Sequence, residues 1–203
     1  MTCSHGHHVP GSVADTDAAY ECVKAFEEPA CVIVKHANPC GIATDKDILV
    51  AYEKAFASDP TSAFGGIIAL NRELDKELAE KIINNQFVEV IISPGVTDEA
   101  LNLTKAKENV RILNSKELGS QVKGFKFLSV TDGMLVQETD NGIVTKDDLK
   151  IVSKRVPSEI EIQNSFSSIL ATIGSLMMRP SLSQRHRYLH CDTSIFVRSL
   201  VIR

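Results

Sequence analysis

Val32–Gly41 reads Val-Ile-Val-Lys-His-Ala-Asn-Pro-Cys-Gly, and the interpretation of the whole chain depends on this stretch. The apolar run Ala30–Val34 predicts a buried strand, which leads directly into the adjacent titratable residues Lys35 and His36. The asparagine, proline and glycine at positions 38, 39 and 41 predict a tight turn. Because ligands of α/β folds bind outside the carboxyl ends of strands, Lys35 and His36 are the first candidates for chemistry.

On both sides of this stretch, apolar residues alternate between helical and strand spacing. We predict strands at residues 30–34, 67–70, 87–93 and 110–113, with a helix before each of them. The first helix is capped by Asp15 or Asp17 and the second by Asp45 or Asp47, and residues 61–66 form a loop. This order predicts an α/β fold with a mainly parallel sheet and helices on both faces.

The later part of the chain is less regular. Residues 125–130 and 134–137 predict a hairpin, residues 151–156 a further strand, and residues 158–163 the start of a helix. Residues 164–203 then contain five arginines, no lysine, one acid and eight serines. We therefore predict three parts: an unstructured start at 1–12, one domain at 13–163, and an atypical tail at 164–203.

Composition and charge bound the function. The chain has 203 residues, 43% of them hydrophobic, and a net charge of −4, with −8 over the first 163 residues. An acidic body argues against nucleic-acid binding, and no apolar run reaches the roughly 18 residues of a membrane span. The amino terminus lacks the features of a secretory signal, and five cysteines are an odd number. We therefore expect a cytoplasmic protein with free thiols.

Two metal-binding patterns are incomplete. One cysteine and three histidines lie within residues 3–8, but zinc patterns need a second ligand pair at a set distance. His36, Pro39 and Cys40 resemble the zinc deaminase pattern, yet Asn38 stands where the catalytic glutamate belongs, and no cysteine lies two residues past Cys40. We therefore predict no metal site.

Lys35 and His36 have a functional and a structural interpretation. A lysine cation disfavours a second positive charge on the neighbouring imidazole, so His36 could accept a proton near neutral pH while Lys35 steadies negative charge. Alternatively, Lys35 is a solvated strand end beside a histidine bonded to the backbone. Gly65 and Gly66 could hold an anion or planar base, or form a plain turn. Glu89 faces solvent or accepts hydrogen bonds from a ligand.

Four segments of the chain carry a family resemblance. Ala14–Ala19, Ile33–Gly41, Ser58–Ala69 and Val152–Arg155 resemble the transformylase domain of the bifunctional purine biosynthesis protein PurH. That family joins 5-aminoimidazole-4-carboxamide ribonucleotide formyltransferase to IMP cyclohydrolase. The resemblance covers about residues 13–163, which would be the first half of the transformylase domain. It implies a cytidine deaminase-like fold and a homodimer whose active sites form between subunits.

The resemblance also implies residue roles. His36 would be the base on the substrate amine, and Lys35 would assist as the formyl group leaves 10-formyltetrahydrofolate. Substrate-binding positions would be Asn38 and Phe64, together with Gly65 and Glu89, which would contact the nucleotide. The partners implied are a small-molecule nucleotide and a folate, with no nucleic acid, membrane or metal.

The sequence departs from the family pattern in three respects. No segment resembles the cyclohydrolase domain, and from residue 164 onward the chain lacks the family's Ser-Asn-Ala-Ile-Val-Tyr-Ala segment, whose asparagine helps hold the reaction intermediate. The later folate-binding segments are not recognised either. We expect residues 1–12 and 164–203 to be out-of-frame or foreign sequence. A second hypothesis is therefore an inactive fragment that retains part of a nucleotide-binding or dimer surface.

Overall fold

The apolar run at the start of the quoted stretch forms an interior strand of a six-stranded sheet. The computed structural model describes residues 2–3, 10–105, 107, 109–119, 124–139, 145–152, 154–165 and 200–202. Two compact units are formed, residues 1–121 and residues 122–203. In chain order, the first contains β1 (Thr2–Cys3), α1 (Pro10–Val23), β2 (Ala30–Lys35), β3 (Asn38–Thr44), α2 (Ile48–Ser58), α3 (Pro60–Ala63), β4 (Gly66–Leu70), α4 (Lys76–Asn85), β5 (Val88–Ser93), α5 (Asp98–Lys105) and β6 (Arg111–Asn114).

The strand order of this sheet is β1-β6-β5-β4-β2-β3. β4, β5 and β6 pair in parallel, whereas β2 is antiparallel to both of its neighbours, β3 and β4. β3, β4, β5 and β6 therefore run in one direction, and β2 runs against them. The prediction of an α/β fold with a mostly parallel sheet is confirmed, but the alternation of helices and strands did not predict the reversed β2.

The reversal follows from a hairpin that the sequence does not predict. The turn expected at positions 38–41 lies instead at His36 and Ala37, and the expected turn residues begin β3. Pro39 fits in β3 because β3 is the last strand in the sheet order, and proline is tolerated at an edge, where its missing N–H breaks no inner ladder. Proline and glycine were therefore misleading turn signals here.

Helices cover both faces of the sheet. Cys31 and Ile33 of β2 belong to an apolar cluster that also contains buried residues of α2, α4 and α5. Val32 and Val34 point to the opposite face because side chains alternate along a strand, and α1 packs against β2, β4 and β5. All four of these β2 side chains are fully buried. The predicted placement of helices on both faces is therefore observed.

Aspartates begin three of the helices. Asp47 caps α2, Asp59 caps α3 and Asp75 caps α4, and each carboxylate accepts a backbone N–H two or three residues ahead. Asp47 was one of the two predicted caps of α2. α3 lies in the segment that the sequence predicts as a loop, because the Asp59 cap and a proline at the first helical position both favour a helical turn.

The amino-terminal segment differs from its prediction. Thr2–Cys3 pairs with the edge of β6, and α1 already begins at Pro10, so part of the expected unstructured start has regular structure. Asp15 and Asp17, the predicted caps, consequently lie inside α1. The three histidines at positions 5, 7 and 8 fall outside the described residues. Among the described helices, none is long and apolar enough to span a membrane.

The second unit contains the predicted hairpin. β7 (Phe125–Val130) and β8 (Gly133–Glu138) pair in antiparallel register across a two-residue loop. β9 (Leu149–Ile151) pairs with β10 (Leu200–Ile202), and residues 159–165 are helical, as residues 158–163 predict. Of the strand predicted at 151–156, only Ile151 belongs to a strand among the described residues, because the chain bends at residues 154 and 155.

The helix at 159–165 begins with a capping box. The Ser158 N–H donates to Glu161 Oε2 at 2.8 Å, and the Glu161 N–H donates to Ser158 Oγ at 3.4 Å. The Arg155 guanidinium also donates to Glu161 Oε1 at 3.0 Å. The hydrogen bond from Arg155, followed by the one from the Ser158 backbone, lowers the pKa of Glu161 to about 2.

We expect the start of this helix to fray in acid. The folded-state pKa of Glu161 lies below its ordinary value of 4.5, so the carboxylate stabilises the cap above that value and loses this effect as the pH falls toward about 2. Amide chemical shifts of residues 158–161, followed by NMR from pH 6 to pH 2, measure the transition. Glu161→Gln is the control and should remove it; a transition that persists in this variant contradicts the assignment.

Gly41 of β3 is required by the close approach of α2. An ideal Cβ at this position would lie 1.9 Å from the backbone oxygen of Ala55. We expect Gly41→Ala to destabilise the protein by about 1–3 kcal/mol, because helix and strand must separate to admit the methyl group. Urea unfolding measures the change. Gly124→Ala, where a Cβ meets nothing within 4 Å, is the matched control and should have little effect.

Candidate functional site

The site is built around the tip of the β2–β3 hairpin. Lys35 pairs with Asn38, and the two-residue loop between them consists of His36 and Ala37, both with φ of 53°. Positive φ at both central positions is typical of the type I′ turn, which usually contains Asn-Gly. His36 and Ala37 both carry a Cβ, so each strains the backbone. Strain of this kind is concentrated at functional sites.

Asp15 of α1 binds this turn. Its Oδ2 accepts the His36 N–H at 3.1 Å, and its Oδ1 accepts the Ala37 N–H at 2.9 Å. The sequence predicts Asp15 only as a possible helix cap, and no local pattern links it to residues 21 and 22 positions further along the chain. Asp15 is therefore a residue of the site that sequence reasoning missed.

Lys35 and Asn38 make the next contacts of the hairpin. Lys35 Nζ donates to the Phe64 carbonyl at 2.8 Å, so the β2 end is bound to the loop between α3 and β4. Asn38 Nδ2 donates to the His36 carbonyl at 2.7 Å. The His36 residue itself is exposed. The structure thus directs the Lys35 ammonium toward the loop and leaves His36 at the surface.

Gly65, which lies just before β4, is close to Glu89 of the neighbouring strand β5. Gly65 has φ of 73°, and its N–H donates to the Phe87 carbonyl at 2.8 Å. An ideal Cβ on Gly65 would be 4.0 Å from Glu89 Oε1. Gly66 has a separate reason for being glycine, because its Cβ would lie 2.9 Å from the Ala63 carbonyl oxygen. Backbone geometry therefore explains both glycines, and it brings the Glu89 carboxylate close to Gly65.

Phe64 and Phe87 form an aromatic pair at this place. Their ring centroids are 5.6 Å apart with a tilted arrangement, and they remain 59% and 40% exposed. Exposed aromatic rings next to polar groups can stack on a planar ligand. Sequence reasoning missed Phe87, since it treated this residue as the apolar start of a strand.

The cysteines of the site and core remain protonated at neutral pH. Burial, followed by the charge of Asp59, raises the pKa of the half-buried Cys40 thiol. Burial raises the pKa of Cys22 to about 12 and also raises that of Cys31. Because the thiolate is the nucleophilic form, these three thiols are not suited to nucleophilic chemistry. Within the part of the chain that the structure describes, no group of three or more His, Cys, Asp or Glu residues could hold a metal ion.

The six predicted site residues therefore meet in three contacts. Lys35 reaches Phe64, Asn38 reaches His36, and Gly65 lies beside Glu89. Peptide bonds join Lys35 to His36 and Phe64 to Gly65, so the three contacts form one continuous group. Together with Phe87, this group gathers a cation, an imidazole, a carboxylate and two exposed rings at one end of strands β2, β4 and β5.

A comparison with protein families decides the family. The model of the AICARFT/IMPCHase bienzyme family matches residues 11–172. The chain belongs to this family. The PurH resemblance is thereby confirmed, with a match that begins and ends slightly outside residues 13–163, and the chain is assigned to a family of purine biosynthesis enzymes that uses a folate co-substrate.

Part of the chain also matches solved structures, among them RibD. RibD of Acinetobacter baumannii, form 2, is 18% identical to the chain, with a TM-score of 0.38. The match covers 52% of this chain and 34% of RibD, so the chain spans about a third of that protein's length.

We expect Ala37→Gly to stabilise the protein by about 0.5–1 kcal/mol, because glycine adopts positive φ without the Cβ clash. The midpoint of urea unfolding measures the change. Ala43→Gly, in the extended part of β3, is the control and should destabilise the protein by a similar amount. A loss of stability in Ala37→Gly would contradict the strained turn.

Proposed function

We propose that the site serves formyl transfer from 10-formyltetrahydrofolate to the 5-amino group of 5-aminoimidazole-4-carboxamide ribonucleotide in purine biosynthesis. The observation that supports this most is the hairpin tip. It holds His36 next to Lys35, and Lys35 is bonded to the loop that carries Phe64 and Gly65. A base, a cation and a possible nucleotide-binding surface are thus contiguous.

The proposed chemistry needs a base. The amino group is conjugated with the imidazole carboxamide and is a poor nucleophile, so a neutral imidazole held against it would take its proton. The amine nitrogen bonds to the formyl carbon, the bond from this carbon to folate N10 breaks, and N10 takes up a proton. His36 accepts the amine proton in this scheme, and the Lys35 ammonium stabilises negative charge on the formyl oxygen.

The proposed nucleotide contacts follow from the same group. The Phe64 ring, paired with Phe87, offers an exposed surface for the flat imidazole. The Glu89 carboxylate can accept hydrogen bonds from hydroxyl or amide groups of the nucleotide, and Gly65 leaves space for them. Asn38 completes the binding set, because its side chain lies on the turn that carries His36.

The folate contributes the activated formyl group. The exposed Phe64–Phe87 pair is suited to one flat ligand, and we assign it to the nucleotide, so no residue of this site is assigned to the folate. We expect the reaction in the cytoplasm, in a cytidine deaminase-like fold, with a homodimer that completes the site. Family membership and the geometry around Lys35 and His36 together support the proposed formyltransferase activity.

A second candidate is an inactive chain that keeps only nucleotide binding or a dimer surface. It is favoured by the sequence from residue 164 onward, which lacks the family segment whose asparagine holds the reaction intermediate. Loss of one such donor commonly slows a reaction by on the order of a hundred- to a thousand-fold. We therefore expect the chain alone to have negligible steady-state turnover.

Calorimetric titration with 5-aminoimidazole-4-carboxamide ribonucleotide, followed by a single-turnover assay with excess protein, distinguishes the two candidates. We expect the Kd for this nucleotide to rise at least about tenfold in Glu89→Ala, because the carboxylate proposed to accept hydrogen bonds from the nucleotide is lost. Glu77→Ala, on the exposed start of α4, is the control. Formylated product that disappears in His36→Ala supports the transferase. Binding without product supports the second candidate, the inactive chain. Absence of binding refutes nucleotide recognition in both candidates.

A further inference from the structure

The turn at residues 36 and 37 is unusual in its backbone conformation. Among the described residues, only His36, Ala37 and Lys116 have positive φ without being glycine. His36 and Ala37 are consecutive, so the strain of two residues is concentrated in one two-residue loop. A hairpin with this sequence needs an external interaction to keep the left-handed conformation at both positions.

Asp15 supplies that interaction with both of its oxygens. Oδ2 and Oδ1 accept the two consecutive backbone N–H groups at 3.1 and 2.9 Å. Hydrogen bonds to a charged acceptor are about twice as strong as neutral ones. An asparagine at this place could accept only one of the two bonds, since its amide nitrogen is a donor. The contact is therefore specific for a carboxylate.

α1 gives this carboxylate a rigid support. Ala19, Cys22 and Val23 are buried on the face of α1 that packs against the sheet. The Tyr20 hydroxyl lies 2.7 Å from Ser115 Oγ, just beyond the end of β6. The carboxyl-terminal half of the helix is thus held in place, and Asp15 projects from the same helix onto the turn.

We infer that Asp15 is a positioning residue, which holds the backbone of His36 and Ala37 in the left-handed conformation and thereby sets the direction of the His36 imidazole. This role in formyl transfer rests on the proposed function, whereas the positioning of the turn does not. Asp15 acts through the two amides and does not touch the reacting atoms in this scheme.

NMR of the full chain tests the inference without any substrate. In Asp15→Ala, we expect amide exchange at His36 and Ala37 to become at least about tenfold faster, and the strong intraresidue Hα–HN contacts of positive φ to weaken. Alanine is a better helix former than aspartate, so α1 itself is not weakened. Asp17→Ala, an exposed acid on the same helix, is the matched control and should leave both signals unchanged.

Two further variants keep the test decisive. Asp15→Asn is nearly isosteric and should release one of the two amides even if Asp15→Ala fails to fold. Asp15→Ala combined with Ala37→Gly should bring the His36 imidazole resonances back toward those of the unchanged protein, because glycine needs no support at positive φ. Unchanged exchange in Asp15→Asn, or no recovery in the double variant, would overturn the inference. Normal positioning together with failed nucleotide binding would overturn only the proposed function.

Discussion

The reversal of the chain at His36 and Ala37 is the constraint on which the rest of the structure depends. Because the loop has only two residues, β3 must run back along β2, and β2 therefore runs opposite to β3, β4, β5 and β6, as does the short β1 at the other end of the sheet. The same turn places Lys35 at the last position of a buried strand and His36 in solvent. Fold and site thus share one strained loop.

The site is held together mainly by backbone contacts of neighbouring segments. The Lys35 ammonium binds the carbonyl of Phe64, and the Gly65 N–H binds the carbonyl of Phe87. These two bonds join the ends of β2, α3 and the start of β5. The side chains that remain exposed there, above all the two phenylalanines and His36, are the ones suited to meet a ligand. Hydrogen bonds thus fix the backbone at this end of β2, while the exposed side chains remain available to a ligand.

Residues around the turn show how far sequence reasoning reaches. The strand at 30–34 follows from a local apolar pattern, and the helix cap at Asp47, one of the two predicted candidates, follows from a side chain that bonds to a nearby amide. Pro39 and Gly41 are misleading signals in the sequence, because both residue types predict a turn where the structure has a strand. Pro39 is tolerated on an edge strand, and Gly41 is needed for the approach of α2 to the sheet. Both reasons concern neighbours distant in the sequence.

The sequence by itself determined the α/β class, the apolar strands, the pairing of Lys35 with His36 in one motif, and membership of the purine biosynthesis family. These properties are local, since burial patterns and motifs are contained in short segments. Only the tertiary structure decided the direction of β2, the bond of Asp15 to the turn, and the pairing of Phe64 with Phe87. Each of these depends on contacts between distant segments, and an Ala at positive φ is stable only where such contacts support it.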